Sequence, residues 1–173
     1  MLVHSRQDRE IAVRAWLLVA APDVSEATAQ WQESGIALLR CGGIFGAVRI
    51  SANLVRAAAG TDNTREIDAF LAEALQGGPV FMDLYTQRYY VLVPVSTGQR
   101  YEWTSRRDPE AEFLGRGCFL GVPPLEATEP EDVRSYWCVP MDGPGTLTVP
   151  DTVSQFLTVA RSRRAQAERE ADE

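Results

Sequence analysis

A chain of 173 residues is long enough to bury a core as a single domain without disulfide or metal staples. Its 45% hydrophobic and 24% charged residues set aside a disordered or fibrous chain. The formal net charge of -7 opposes the phosphate backbone of duplex DNA and disfavours broad nucleic-acid binding.

All 17 basic residues are arginine, a usage that a GC-rich genome gives by itself. Cys41, Cys118 and Cys138 are widely spaced and form no CxxC pair, and His4 is the sole histidine, so a structural zinc site lacks ligands. Each cysteine sits in an apolar stretch, where a buried, inert thiol is expected. No cofactor is expected. The start MLVHSRQDRE carries charges where a signal peptide needs an apolar core, and no apolar run of about 18 residues occurs. The expected location is cytoplasmic, away from the membrane.

In chain order, residues 7–21 read as a helix with Ile11, Ala15, Leu18 and Val19 at helical spacing, stopped by Pro22. Asp23 or Ser25 caps a shorter helix carrying Trp31. GIALLRCGGIFGAVRIS holds two β-prone runs around Cys41-Gly42-Gly43, the pattern of a hairpin. Ser51 is a candidate N-cap for SANLVRAAAG, closed by Gly60. TDNTREIDAFLAEALQGG is the clearest helix: Asn63 stands three residues before Glu66, and Ile67, Phe70, Leu71 and Leu75 form a stripe.

Strands are expected at residues 79–83, 88–94, 118–123 and 135–140, the first two paired antiparallel across a short connection. Residues 100–113 read as a polar, acidic loop, and Asp151 as the cap of a final helix over 152–168 with a charged, fraying end. The pattern predicts one α/β (α+β) domain over residues 1–173. Its sheet is mostly antiparallel, with about five or six strands flanked by helices in two or three layers.

Gly115-Arg116-Gly117 raises the question of a phosphate-binding loop, which requires a glycine turn opening onto a helix N-terminus. Here the turn opens onto CFLGVPP, whose prolines at 123 and 124 forbid a helix, so a bend into a strand is expected. Arg116 between two glycines remains a candidate for gripping an anion. The acidic candidates are Asp83 at a strand end and Asp108, Glu110 and Glu112, which alternate and would share one face if extended. Asp83 alone cannot hold a metal. His4 lies in a tail, which leaves Ser and Cys nucleophiles without an oriented base. Among Tyr85, Tyr89, Tyr90, Tyr101, Trp103 and Trp137, strand alternation puts Tyr89 and Tyr90 on opposite faces, so at least one of them is core.

Taken together, GGPVFMD, YYVLVP, LGRGCFLGVPP and YWCVPMDGPGTLTVPD resemble a family of small actinobacterial proteins labelled bifunctional DNA primase/polymerase-like. The likeness covers residues 77–157, with a weaker likeness in GIALLRCGGIFGAVRI, and Gly115, Arg116 and Gly117 match the family's turn. It implies a primase-polymerase-type fold. Active members carry a paired metal carboxylate, a third acid and a phosphate-binding histidine. FMDLY supplies only Asp83, and the histidine lies outside the matched region.

The expectation is therefore a non-catalytic binding or regulatory module. Arg116 and Arg88 are the candidates to meet a nucleotide or other small anion, and Tyr90 or Trp103 to stack on it. One alternative is a residual nucleotide-processing enzyme using Asp83, Asp108 and Glu110. The other is a protein-partner module, for example a homodimer through an exposed strand edge.

Overall fold

The computed structural model describes residues 5–105 and 108–173, and His4 lies outside the described residues. Within them, helices begin where short polar side chains can satisfy the free N–H groups of a first turn. Ser5 and Asp8 form a reciprocal capping box on α1 (Arg6–Leu18), and the last turn tightens through Val19, Ala20 and Ala21 before Pro22 is reached. Asp23, rather than Ser25, caps α2 (Val24–Ser34). Ser51 caps α3 (Ala52–Ala59), closed by left-handed Gly60, and Asn63 caps α4 (Thr64–Ala74). The Glu66 carboxylate turns to the Thr61 hydroxyl at 2.7 Å.

The fold is α+β. Seven strands among the described residues form two antiparallel sheets. The larger joins β2 (Gly46–Ser51), β3 (Val80–Asp83), β4 (Arg88–Val93), β5 (Ala111–Leu114) and β7 (Ser135–Val139) in the order β5-β2-β4-β3-β7. The smaller pairs β1 (Ala37–Arg40) with β6 (Phe119–Val122). Alternation then builds two cores, one on each face of the larger sheet. On one face Val48, Ile50, Tyr89 and Val91 pack against α3, α4 and the long α6 (Pro150–Ala171). On the other, Ala47, Phe81, Leu92 and Trp137 meet Leu39, Leu120 and Val122 of the small sheet and Val13 and Leu17 of α1. The result is three layers. Tyr89 and Tyr90 do fall on opposite faces, with Tyr89 buried and Tyr90 half-buried.

Three local expectations need correction. The runs around Gly42-Gly43 do not form a hairpin, because β1 pairs with β6 while β2 pairs with β4 and β5. β1 is buried on alternate residues only, whereas β2 is buried on both faces and belongs in the interior of a covered sheet. Residues 100–113 are not one loop. They contain a helical turn, α5 (Tyr101–Thr104), and the edge strand β5, whose four residues follow Pro109 too closely to show a strand pattern. Asp151 is not the cap of α6: Val149 takes that place, Pro150 opens the helix, and the helix runs on through Ala171.

Gly115-Arg116-Gly117 is a tight turn from β5 into β6, closed by the Cys118 N–H donating to the Gly115 carbonyl at 3.0 Å. Gly117 has φ of +90° with open space around a would-be side chain, so its requirement is purely conformational. At Gly42, φ is +96° and an added Cβ would lie 2.7 Å from the Arg116 Cα. There the two turns touch backbone to backbone. Gly117→Val should therefore cost about 1–3 kcal/mol through backbone strain alone, and Gly42→Ala more than that. Arg116→Ala, at an exposed position, should stay within about 0.5 kcal/mol. Denaturant midpoints of the three variants check the ranking, and an Arg116→Ala loss equal to that of Gly117→Val would contradict it.

Candidate functional site

A cleft of about 690 Å³ lies between α5 and α6, lined by Tyr101, Trp103, Asp108, Pro109, Leu157 and Arg161 among others. Its volume lies in the range of small-molecule sites. α5 supplies the aromatic wall: Tyr101 is exposed, while Trp103 leans on the core. The Trp103 indole N–H is buried and meets no acceptor among the described residues. A buried donor left unmade costs free energy, and no partner for this one occurs among the described residues.

The rest of the rim is charged and internally compensated. Arg100 donates to Glu102 at 2.8 Å and also pairs with Asp151 in the first turn of α6. Ser154 donates to the same Glu102 carboxylate at 2.8 Å. These hydrogen bonds, the Arg100 one first, hold the Glu102 carboxyl down at about 2. Arg161 donates to Asp108 at 2.8 Å, and Arg164 pairs with Glu110. Three arginines thus occupy the carboxylates that line or border the cleft.

The residues singled out from the sequence are scattered. Asp83 sits at the end of β3, where its carboxylate accepts from the Tyr85 N–H at 2.9 Å and so shapes the turn into β4. β2 and β4 lie between β3 and β5. Three strand spacings of about 4.8 Å therefore separate Asp83 from the Glu110 end of β5. Glu112, on β5 itself, pairs with Arg49 of β2 at 2.6 Å rather than sharing a face with Asp108 and Glu110. No group of three or more metal-ligating side chains occurs among the described residues. Asp83 is not brought together with Asp108 and Glu110.

The candidate binding residues do not converge either. Arg88 lies opposite Asp83 and Ser51 at one end of the sheet, and Arg116 follows Leu114 beyond the other end. Tyr90 stacks on Phe81, with ring centroids 4.9 Å apart and 14° between the planes, on the small-sheet side. Trp103 packs on the opposite core. Of the candidate binding and acidic residues, only Trp103 and Asp108 line the cleft, with Glu110 on its border. Sequence reading weighed Tyr101 only among six aromatics and placed neither it nor Arg161 in a site. The RSRR run that holds Arg161 showed a charge cluster, but not that its helix passes over residues 108–110.

A second polar cluster lies between α4 and β7. The Asp68 carboxylate accepts from the buried Tyr136 hydroxyl at 3.0 and 3.1 Å, and Arg65 of the same helix pairs with Glu129 and Glu131. Burial raises the Asp68 carboxyl above its ordinary range and the Tyr136 hydroxyl far above its own. Asp68 is not among the residues lining the cleft.

No family model, curated protein or solved structure matches this chain.

The raised Asp68 carboxyl gives a signed pH prediction. The folded state holds this proton more tightly than the unfolded one, so Asp68 contributes most at low pH. That contribution is lost as pH rises through the raised folded value. Asp68→Asn keeps an acceptor for Tyr136 without the charge. Its stability relative to wild type should improve between about pH 4 and about pH 7. Asp68→Ala strands the Tyr136 hydroxyl and should cost about 1–3 kcal/mol. Urea denaturation across that pH interval checks both; a wild-type advantage over Asp68→Asn that grows with pH would refute the assignment.

Proposed function

We propose that the chain is a non-catalytic binding or regulatory module, of the primase-polymerase-like descent that the sequence resemblance implies. Its ligand site is the cleft between α5 and α6. The observation that carries this reading is that Tyr101 and Trp103 line the same cleft as Arg161, with the Trp103 N–H unpartnered among the described residues. An aromatic wall suits a flat ring, and Arg161 can exchange Asp108 for a ligand anion, since a half-exposed ion pair is worth only about 0–1 kcal/mol. A nucleotide or similar small anion with a planar group fits both features. The pairing of Asp108 and Glu110 with arginines, and the separation of Asp83 from them, support a binding role over metal-assisted nucleotidyl transfer.

Titration with nucleoside triphosphates, followed by NMR at the tryptophan indoles, tests the reading. The Trp103 signal should move, and Arg161→Ala should weaken binding by roughly tenfold, the value of one charge-assisted hydrogen bond. An unmoved Trp103 signal at about millimolar ligand, far above a useful affinity, would remove the site. In parallel, the protein with magnesium or manganese should not extend a primer. Extension that is lost in Asp83→Ala would restore the enzymatic alternative.

A second reading, self-association, is favoured by Leu38 and Phe119, which stand 47% and 52% exposed on the outer face of the small sheet. If two copies meet there, Phe119→Asp should shift sedimentation from dimer to monomer without lowering the melting temperature. A monomeric wild-type protein at high concentration would end that reading.

A further inference from the structure

Cys41 and Cys118 are far apart in sequence but directly opposed in space. The β1–β6 register ends with Arg40 opposite Phe119, and one residue further the Cys41 N–H donates to the Cys118 carbonyl at 3.0 Å. Both side chains point into the core between the small sheet and the large one, Cys41 buried and Cys118 half-buried. Cys41 and Cys118 extend the ladder by one position through a single hydrogen bond, the Cys118 N–H turning instead to the Gly115 carbonyl. Opposed residues on antiparallel strands have Cα atoms about 4.5–5.5 Å apart. That lies inside the span of about 4.4–6.8 Å that a disulfide requires. Both cysteines are free thiols in this structure.

We propose that Cys41 and Cys118 form a reversible thiol–disulfide site whose reaction partner is a small-molecule disulfide of the glutathione type. The half-exposed Cys118 reacts first: its thiolate displaces one thiolate from the small disulfide and forms a mixed disulfide on Cys118. Cys41 then gives its proton to solvent, and its sulfur attacks the Cys118 sulfur and displaces the second small thiol. Two protein thiols are oxidised to one disulfide, one small disulfide is reduced to two thiols, and no other reactant is needed. Burial, with the neighbouring Cys118, pushes the Cys41 thiol up to about 12, which disfavours Cys41 as the entry point.

The bond would fasten the end of β1 to the turn at residues 115–117, where Gly42 already presses on the Arg116 backbone. The ring so closed spans residues 41–118 and contains β2, β3, β4 and β5. It restricts the unfolded chain, and the oxidised form should be the more stable one. Cys138 provides the internal control, because it packs on the other face against the core that holds Tyr136.

The test incubates the full-length native protein in glutathione mixtures of graded oxidation, then alkylates free thiols and measures intact and peptide masses. The alkylatable thiols should fall from three to one, with a Cys41–Cys118 cross-linked peptide and a raised melting temperature. The Cys138→Ser variant should fall from two to none. Cys118→Ser, altered at a half-exposed position, should keep both remaining thiols. Persistence of all three thiols, arrest at a mixed disulfide on Cys118, or a Cys118–Cys118 cross-link between chains would each overturn the assignment. None of these results depends on whether the α5–α6 cleft binds a ligand.

Discussion

The larger sheet must be covered on both faces, and most of the architecture follows from that requirement. β2 and β4 carry apolar side chains alternately up and down, so neither face tolerates water. α3, α4 and α6 close one side. On the other side a two-stranded sheet does so with the help of α1 and α2. A two-stranded sheet is marginal alone, and this one is anchored from outside its ladder. The Trp31 indole donates to the Val122 carbonyl at 2.9 Å, and the Trp137 indole reaches the Pro123 carbonyl at 3.1 Å. Each large aromatic packs its ring on the core and still satisfies its one donor. Trp103, in the cleft, is the indole whose buried donor finds no such partner among the described residues.

Arginine pairing does a different kind of work. Exposed ion pairs contribute little to stability, so their effect here is positional. Arg100 binds the segment before α5 to the first turn of α6, while Arg161 and Arg164 hold residues 108 and 110 against the middle of the same helix. Arg163 donates to the Ala58 carbonyl near the end of α3 and lies 5.9 Å from the Phe70 ring. α6 therefore acts as a spine on which the cleft is assembled. The same pairs that shape the cleft occupy its carboxylates, and a group locked to a guanidinium is a poor general base or metal ligand.

The sequence was legible wherever a local rule decides. Ser51, Asn63 and Gly60 announced helix ends because capping involves only neighbours. The strands at Val80, Arg88, Phe119 and Ser135 announced themselves by β-branched and aromatic content. Illegible was everything set by long-range pairing. A glycine pair between two apolar runs looks the same whether the chain turns back or crosses to another layer, and here it crosses. The site was hidden for the same reason. Tyr101 and Arg161 are 60 positions apart, and their neighbourhood exists only because β5 places residues 108–111 beneath α6. Of the aromatic and acidic candidates named from sequence, Tyr101, Trp103 and Asp108 line the cleft. Arg88 and Arg116 were separated by the length of the sheet, a distance no spacing rule contains.

β5 is the element through which distant parts of the molecule meet. Its first residue, Ala111, lines the cleft, and its last, Leu114, leads into the turn that precedes Cys118. Between them the Phe113 ring is wedged against Gly46, Gly98 and Gly115, where a Cβ at Gly46 or Gly115 would come within 2.8 and 2.7 Å of it. A ring seated so closely among backbones cannot shift without moving β2 and the turn together, because packed interiors transmit displacement rather than absorb it. The cleft lies on one side of the large sheet and the cysteine pair on the other. A change at either site has a short covalent route to the other: the four residues of this edge strand, paired with β2, and the turn at 115–117.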